Sequence, residues 1–153
     1  MRGECSIQID ATPQQVYDAV SDLTRMGEFS PECRSVEWLD GAAGPLPGAR
    51  FMGHNRGGPL TWSRRGRVIS AEPAREFSFV TEEGGREGTL WTYRLRPVGQ
   101  GTLVTESYEV RWIPWWMHLV DVITLRRQQL SRNMTKTLVR LKARVESSTT
   151  PSK

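Results

Sequence analysis

The sequence predicts an α+β domain in which a curved seven-stranded antiparallel sheet wraps round a long C-terminal helix, with two short helices after strand one. Three observations predict it. Apolar residues alternate with period two in one segment before residue 11 and in six more between Cys33 and Trp112. The links between most of these segments are short and glycine-rich, which suits hairpins rather than crossovers. Beyond Pro114 the apolar spacing changes to three and four residues.

From Glu4 to Asp10, Cys5, Ile7 and Ile9 fall on one side and Ser6, Gln8 and Asp10 on the other, as in a half-buried strand. Thr12 then offers a side-chain cap, Pro13 suits the first helical position, and Gln15 completes a capping-box spacing. The helix starting at Pro13 presents Val16, Tyr17 and Val20. A second short helix follows through Leu23, Met26 and Phe29 until Pro31 stops it. Val36 and Trp38 open the sheet proper, before a Gly/Ala/Pro-rich link from Gly41 to Gly48. The remaining strands are Ala49 to Arg56, Leu60 to Ala71, Arg75 to Glu82, Glu87 to Pro97 and Thr102 to Trp112. In the last hairpin, pairing Leu95 with Val104 gathers Trp91, Tyr93, Tyr108 and Val110 on one face and brings Glu106 with them.

Pro114 can open the terminal helix, in which Leu119, Ile123, Leu130, Met134, Leu138, Leu141 and Val145 recur at helical steps. Unbroken to Glu146 it would run about 50 Å, too long for a globule whose radius of gyration is about 15 Å. A break between Val122 and Arg127 is therefore expected. Residues 1–146 read as a single domain and 147–153 as a frayed tail. Only this helix is long enough to cover the apolar face of the sheet.

Composition narrows the functional classes. The chain has 153 residues, 37% hydrophobic and 25% charged, with six Trp, enough to bury a core without metals or disulfides. Cys5 and Cys33 have no C-x-x-C partner, so no zinc site is spelled and a reducing compartment is the easier home. No run of 18 apolar residues occurs and the start lacks a secretory pattern, so a cytoplasmic protein without stable membrane insertion is expected. The net charge is +4. Between Arg126 and Arg144 seven cations stand with no acid among them; a solubilising face explains this without a nucleic-acid partner, and none is expected. No cofactor is called for. His54 and His118 are far apart in sequence, Gly-x-Ser-x-Gly is absent, and Gly57-Gly58-Pro59 reads as a hairpin turn rather than a phosphate loop. A Ser-His-Asp arrangement assembled in space stays open.

Several segments in order, Ser30-Pro31-Glu32-Cys33, Val36 to Gly41, Phe51 to Asn55, Trp62 to Arg65, Trp91 to Leu95 and Thr137 to Lys142, resemble the polyketide cyclase/dehydrase branch of the START-like (SRPBCC) superfamily. The resemblance spans Glu4 to Glu146. It implies a helix-grip fold enclosing a hydrophobic cavity for lipids, polyketides or other ring-containing molecules. Candidate ligand-binding residues on that reading are Trp38, Phe51, Asn55, Trp62, Phe77 and Phe79, followed by Trp91, Tyr93, Tyr108, Leu130 and Met134. Aromatics suit a filled core and a cavity wall equally, and an Asn near a hairpin end, as Asn55 is, more often stabilises the turn than orients a ligand.

Glu106 alternates with Val104 and Tyr108, and Arg64 with Trp62 and Val68, so both point inward unless a slip or bulge turns them to solvent. An internal charge needs a partner: each other, a water chain, or a ligand. Inside, Glu106 can accept a proton at a raised pKa and Arg64 can polarise a carbonyl or hold an enolate, which is cyclisation chemistry. Three readings follow: binding of a hydrophobic small molecule, a polyketide aromatase/cyclase or dehydratase, and an interaction module using the basic helix. Trp112 to Met117 suits a portal lid, a membrane-touching wedge, a subunit interface or a packed corner, and a homodimer stays open.

Overall fold

A computed structural model describes residues 1–123 and 125–149; the side chains of residues 121–123 and 149 are not described. The order is β1 (Arg2–Ile9), α1 (Pro13–Ser21), a 3-10 turn (Leu23–Arg25), α2 (Met26–Phe29), β2 (Cys33–Trp38), β3 (Arg50–Gly57), β4 (Leu60–Glu72), β5 (Glu76–Glu83), β6 (Arg86–Val98), β7 (Gly101–Val110), α3 (Trp115–Ile123) and α4 (Arg126–Thr149). All seven strands form one antiparallel sheet in the order β1-β7-β6-β5-β4-β3-β2. Consecutive strands are neighbours except that β1 and β2 lie at opposite edges. The α1 and α2 segment makes that crossing, and α4 packs on β1.

Local rules account for most of the elements. At the start of α1, Thr12 Oγ1 accepts from the Gln15 backbone N–H at 3.2 Å while Gln15 Oε1 accepts from the Thr12 N–H at 2.9 Å, the reciprocal pairing of a capping box. Gly58 occupies the β3/β4 turn at φ 58°, a left-handed conformation glycine adopts without strain. Leu95 faces Val104 in the β6/β7 ladder, and Tyr93 faces Glu106. Register shifts occur between Cys33 and Ser35, Val68 and Ser70, and Thr81 and Glu82. The β3/β4 ladder runs unbroken from Arg50 opposite Arg67 to Gly57 opposite Leu60, so no slip turns Arg64 outward.

The terminal helix does break where its length requires. Leu125, at φ 54°, separates α3 from α4, and α4 continues to Thr149, beyond the Glu146 expected from the sequence. Residues 150–153 of the expected tail, and the side chain of Ile123, lie outside the described residues.

The core sits mainly at one end. Val16, Val20, Ile9 and Val104 pack with Phe77, Leu138, Leu141 and Val145, all at most 5% exposed. Tyr108, Leu130 and Met134 form a second, smaller cluster.

Candidate functional site

The first turns of α4 and the concave face of the sheet enclose a cavity of about 220 Å³. Period-two alternation supplies its sheet wall: Phe51 and Asn55 from β3, Trp62 and Arg64 from β4, Phe79 from β5, Trp91 and Tyr93 from β6, and Glu106 from β7. Leu130 and Met134 of α4 close the opposite side, Met26, Cys33 and Val36 one flank, and Ile113 and Met117 another.

Three of the expected wall residues lie elsewhere. Trp38 sits beyond Phe51, edge to face with it at 6.4 Å, at the sheet edge. Phe77 is fully buried between Tyr17 and Phe79, because α1 covers that end of the inner face. Tyr108 packs under Trp91 at 5.7 Å, and its ring fills the space a Cβ on Gly3 would need. Residue type and strand face are the same for all; the element lying over each decides between core and wall.

Glu106 is the polar centre of the cavity. It is 3% exposed, and its Oε1 accepts a hydrogen bond from the Tyr93 hydroxyl at 3.0 Å. Its Oε2 is buried and has no hydrogen-bond partner among the described residues. Burial pushes the carboxyl up to about 8 against the lowering effect of the Tyr93 bond, because removing a charge from water costs more than one hydrogen bond returns. At neutral pH the group is mostly a neutral acid, able to donate one hydrogen bond. Tyr93 is itself raised well above its ordinary value by burial, and next by the adjacent Glu106, and stays a phenol. Burial likewise pushes the Cys33 thiol up to about 11, so it is protonated and a poor nucleophile.

Arg64 does not pair with Glu106. Its guanidinium forms an ion pair with Glu83, and its strand lies three ladders from β7, about 14 Å along the sheet at normal strand spacing. Both still border the same cavity, at opposite sides of it.

A second polar cluster joins the wall and is not among the sequence candidates. Glu32, just after Pro31, accepts from Arg126 Nη1 at 2.8 Å and from Asn133 Nδ2 at 3.0 Å. It ties the start of β2 to the start of α4. Helical spacing carries the signal that finds two of these: Arg126 and Asn133 stand four before and three after Leu130, and so share its face. Glu32 has no periodic signal, since it sits in a loop.

His54 lies on the solvent face, with Nδ1 2.8 Å from Ser63 Oγ and Nε2 3.1 Å from Glu37 Oε1. This cross-strand ladder is open to water, with His54 46% and Glu37 63% exposed at the side chain. His118, on α3, is exposed as well. Among the described residues no group of three or more His, Cys, Asp or Glu is placed to hold a metal, and no described helix is long and apolar enough to cross a membrane.

Known proteins share this architecture. No curated protein sequence matches the chain. The solution structure of the Polyketide_cyc-like protein Cgl2372 from Corynebacterium glutamicum is 35% identical, with 96% of this chain and 92% of that one covered and a TM-score of 0.65. TTHA0849 from Thermus thermophilus is 20% identical over 98% of this chain and all of its own, at a TM-score of 0.74. The di-domain ARO/CYC protein BexL from the BE-7585A biosynthetic pathway is 20% identical at a TM-score of 0.72; the match spans 99% of this chain and 48% of BexL. The latter two share the fold. The family described as "Polyketide cyclase / dehydrase and lipid transport" matches residues 2–146, and with the seven-stranded sheet gripping α4 this makes the chain a member of that family.

Proposed function

We propose that the protein binds a hydrophobic, ring-containing small molecule in the cavity between sheet and α4, and that Glu106 orients it. The observation carrying this reading is the Oε2, unpartnered among the described residues, of a buried, neutral carboxylic acid in a wall of aromatic and aliphatic side chains. A buried polar group without a partner is costly, and a ligand hydroxyl or carbonyl removes the cost. Size adds a constraint: a cavity of about 150 Å³ takes a benzene, so 220 Å³ suits one ring with substituents or a compact fused pair. Burying about 200 Å² of such a ligand favours binding by about 5 kcal/mol before losses of freedom.

Native mass spectrometry of freshly isolated protein tests this. The expected result is a retained small molecule in the wild type and its loss in Glu106→Leu, which removes both carboxyl oxygens. Protein that carries nothing, and takes up no cyclic ketone or phenol in titration, would remove the reading.

A second reading, an aromatase/cyclase or dehydratase, is favoured by Arg64 and Glu106 bordering one cavity from opposite sides. There Glu106 handles the proton and Arg64 polarises a carbonyl. It predicts that Glu106→Gln abolishes cyclised product while affinity survives; affinity without turnover leaves binding alone.

A further inference from the structure

Exposed apolar side chains gather on and just beyond α3. Trp115 is 76% exposed, Trp116 54%, Leu119 59%, and Leu125, just beyond the helix, 59%. Positions 115, 116 and 119 fall on one side of the helix, while Met117 turns to the cavity wall with Ile113. The packing of α3 in the fold is against α4. On α4, Arg132, Lys136, Arg140 and Arg144 stand at intervals of four on one face of the helix, all exposed. No acid lies between Arg126 and Arg144. The ion pairs of α4 among the described residues use Arg126 with Glu32 and Lys142 with Glu146, so these four cations have no acidic partner among the described residues.

We propose that α3, with the adjoining basic face of α4, docks on an anionic lipid surface. Tryptophan is the side chain that settles at the water-lipid boundary, and cations beside it add attraction to negatively charged headgroups. Area argues against a protein partner here. A nine-residue helix is about 14 Å long and about 10 Å across, well below the roughly 800 Å² each side of a stable protein complex needs. A lipid surface sets no such minimum, since each wedge and each cation acts additively. Docking also places the helix that flanks the cavity at the lipid, one helix width from the lining residues Met117 and Ile113, giving an apolar ligand a short path to it. This last consequence rests on the ligand-binding reading; the docking does not.

The test is co-sedimentation with vesicles of phosphatidylcholine alone and of equal parts phosphatidylcholine and phosphatidylglycerol, with tryptophan emission recorded. The expected result is binding to the anionic vesicles with a blue shift, weakened steeply by salt and by about tenfold or more in Trp115→Ser/Trp116→Ser and in Arg132→Glu/Lys136→Glu. These side chains are exposed, so unchanged circular dichroism and melting are expected of both variants; Leu119→Ser serves as a milder replacement if the double tryptophan variant unfolds. No binding by folded wild type at low salt overturns the proposal, as does binding that ignores the tryptophans. A concentration-dependent dimer lost in Trp115→Ser/Trp116→Ser assigns the face to a second copy instead, and binding to RNA in preference to vesicles assigns the cations to nucleic acid. Ligand retention in the same variants, read by native mass spectrometry, separates failure of docking from failure of the cavity reading.

Discussion

Where the second half of α4 crosses the sheet, Leu138, Leu141 and Val145 interlock with Val16, Val20 and Ile9 in one buried cluster. Where its first half crosses the same sheet, Leu130 and Met134 look across about 220 Å³ at Phe79, Trp91 and Tyr93. The two ends differ in what is inserted between helix and sheet. At the solid end α1 supplies nine residues and buries Val16, Tyr17, Ala19 and Val20. At the hollow end α2 supplies four residues, and α3 turns its tryptophans outward. Polar groups follow the same division: at the solid end Thr102 is fully buried and its hydroxyl donates to the Ala11 carbonyl at 2.7 Å, whereas at the hollow end Glu106 keeps one oxygen unpaired. A short plug leaves both room and an unmet hydrogen bond, and the two together make a binding site.

The sharpest way to probe this contrast is pH. A carboxyl raised from 4.5 to about 8 in the fold binds its proton more tightly folded than unfolded. Its stabilising contribution is full below pH 4.5 and is lost as pH rises to about 8, by at most about 5 kcal/mol at about 1.4 kcal/mol per unit. In Glu106→Gln that slope disappears, so urea melts should show the two proteins nearly equal at about pH 4.5 and the variant more stable at about pH 9. A pH-independent gap between them would mean that Glu106 is not neutral in the fold.

Phe77→Ala at the solid end should cost about 4 kcal/mol in the same melts, yet leave ligand retention intact at temperatures where the variant is folded. Gly66→Ala comes next. A Cβ there would meet Phe51 Cζ at 2.3 Å and the Val80 carbonyl oxygen at 2.8 Å, so both the ring and the β5 backbone must shift, at about 3 kcal/mol, with weaker ligand uptake. Trp62→Ala should move stability least, by less than about 1 kcal/mol, since the ring is only half-buried on the wall; ligand retention should fall. Equal loss of ligand from Phe77→Ala and Trp62→Ala would erase the distinction between the two ends.

Much of the fold was legible because its signals are local. Period-two alternation and glycine turns mark strands wherever they stand, and the Leu95 to Val104 pairing carries Glu106 inward by parity alone. The candidate site was only partly so. Trp38, Phe77 and Tyr108 share residue type and strand face with Trp91 and Tyr93, and what separates them is which helix or ring lies above. Glu32 has no local pattern; it becomes a cavity residue because Arg126 and Asn133, some hundred positions later, reach it.

Neighbours within a few residues were enough to set the seven strands, the capped α1 and the inward direction of Glu106 and Arg64, and the length of the terminal helix was enough to require its break; all of these can be read along the chain. Packing between distant segments settled the rest: that Arg64 pairs with Glu83 rather than Glu106, that Glu106 keeps an unpaired oxygen, and that one end is filled while the other is open. A hollow is the difference between the volume a sheet and helix enclose and the volume that distant segments bring into it, and no window of sequence contains both quantities.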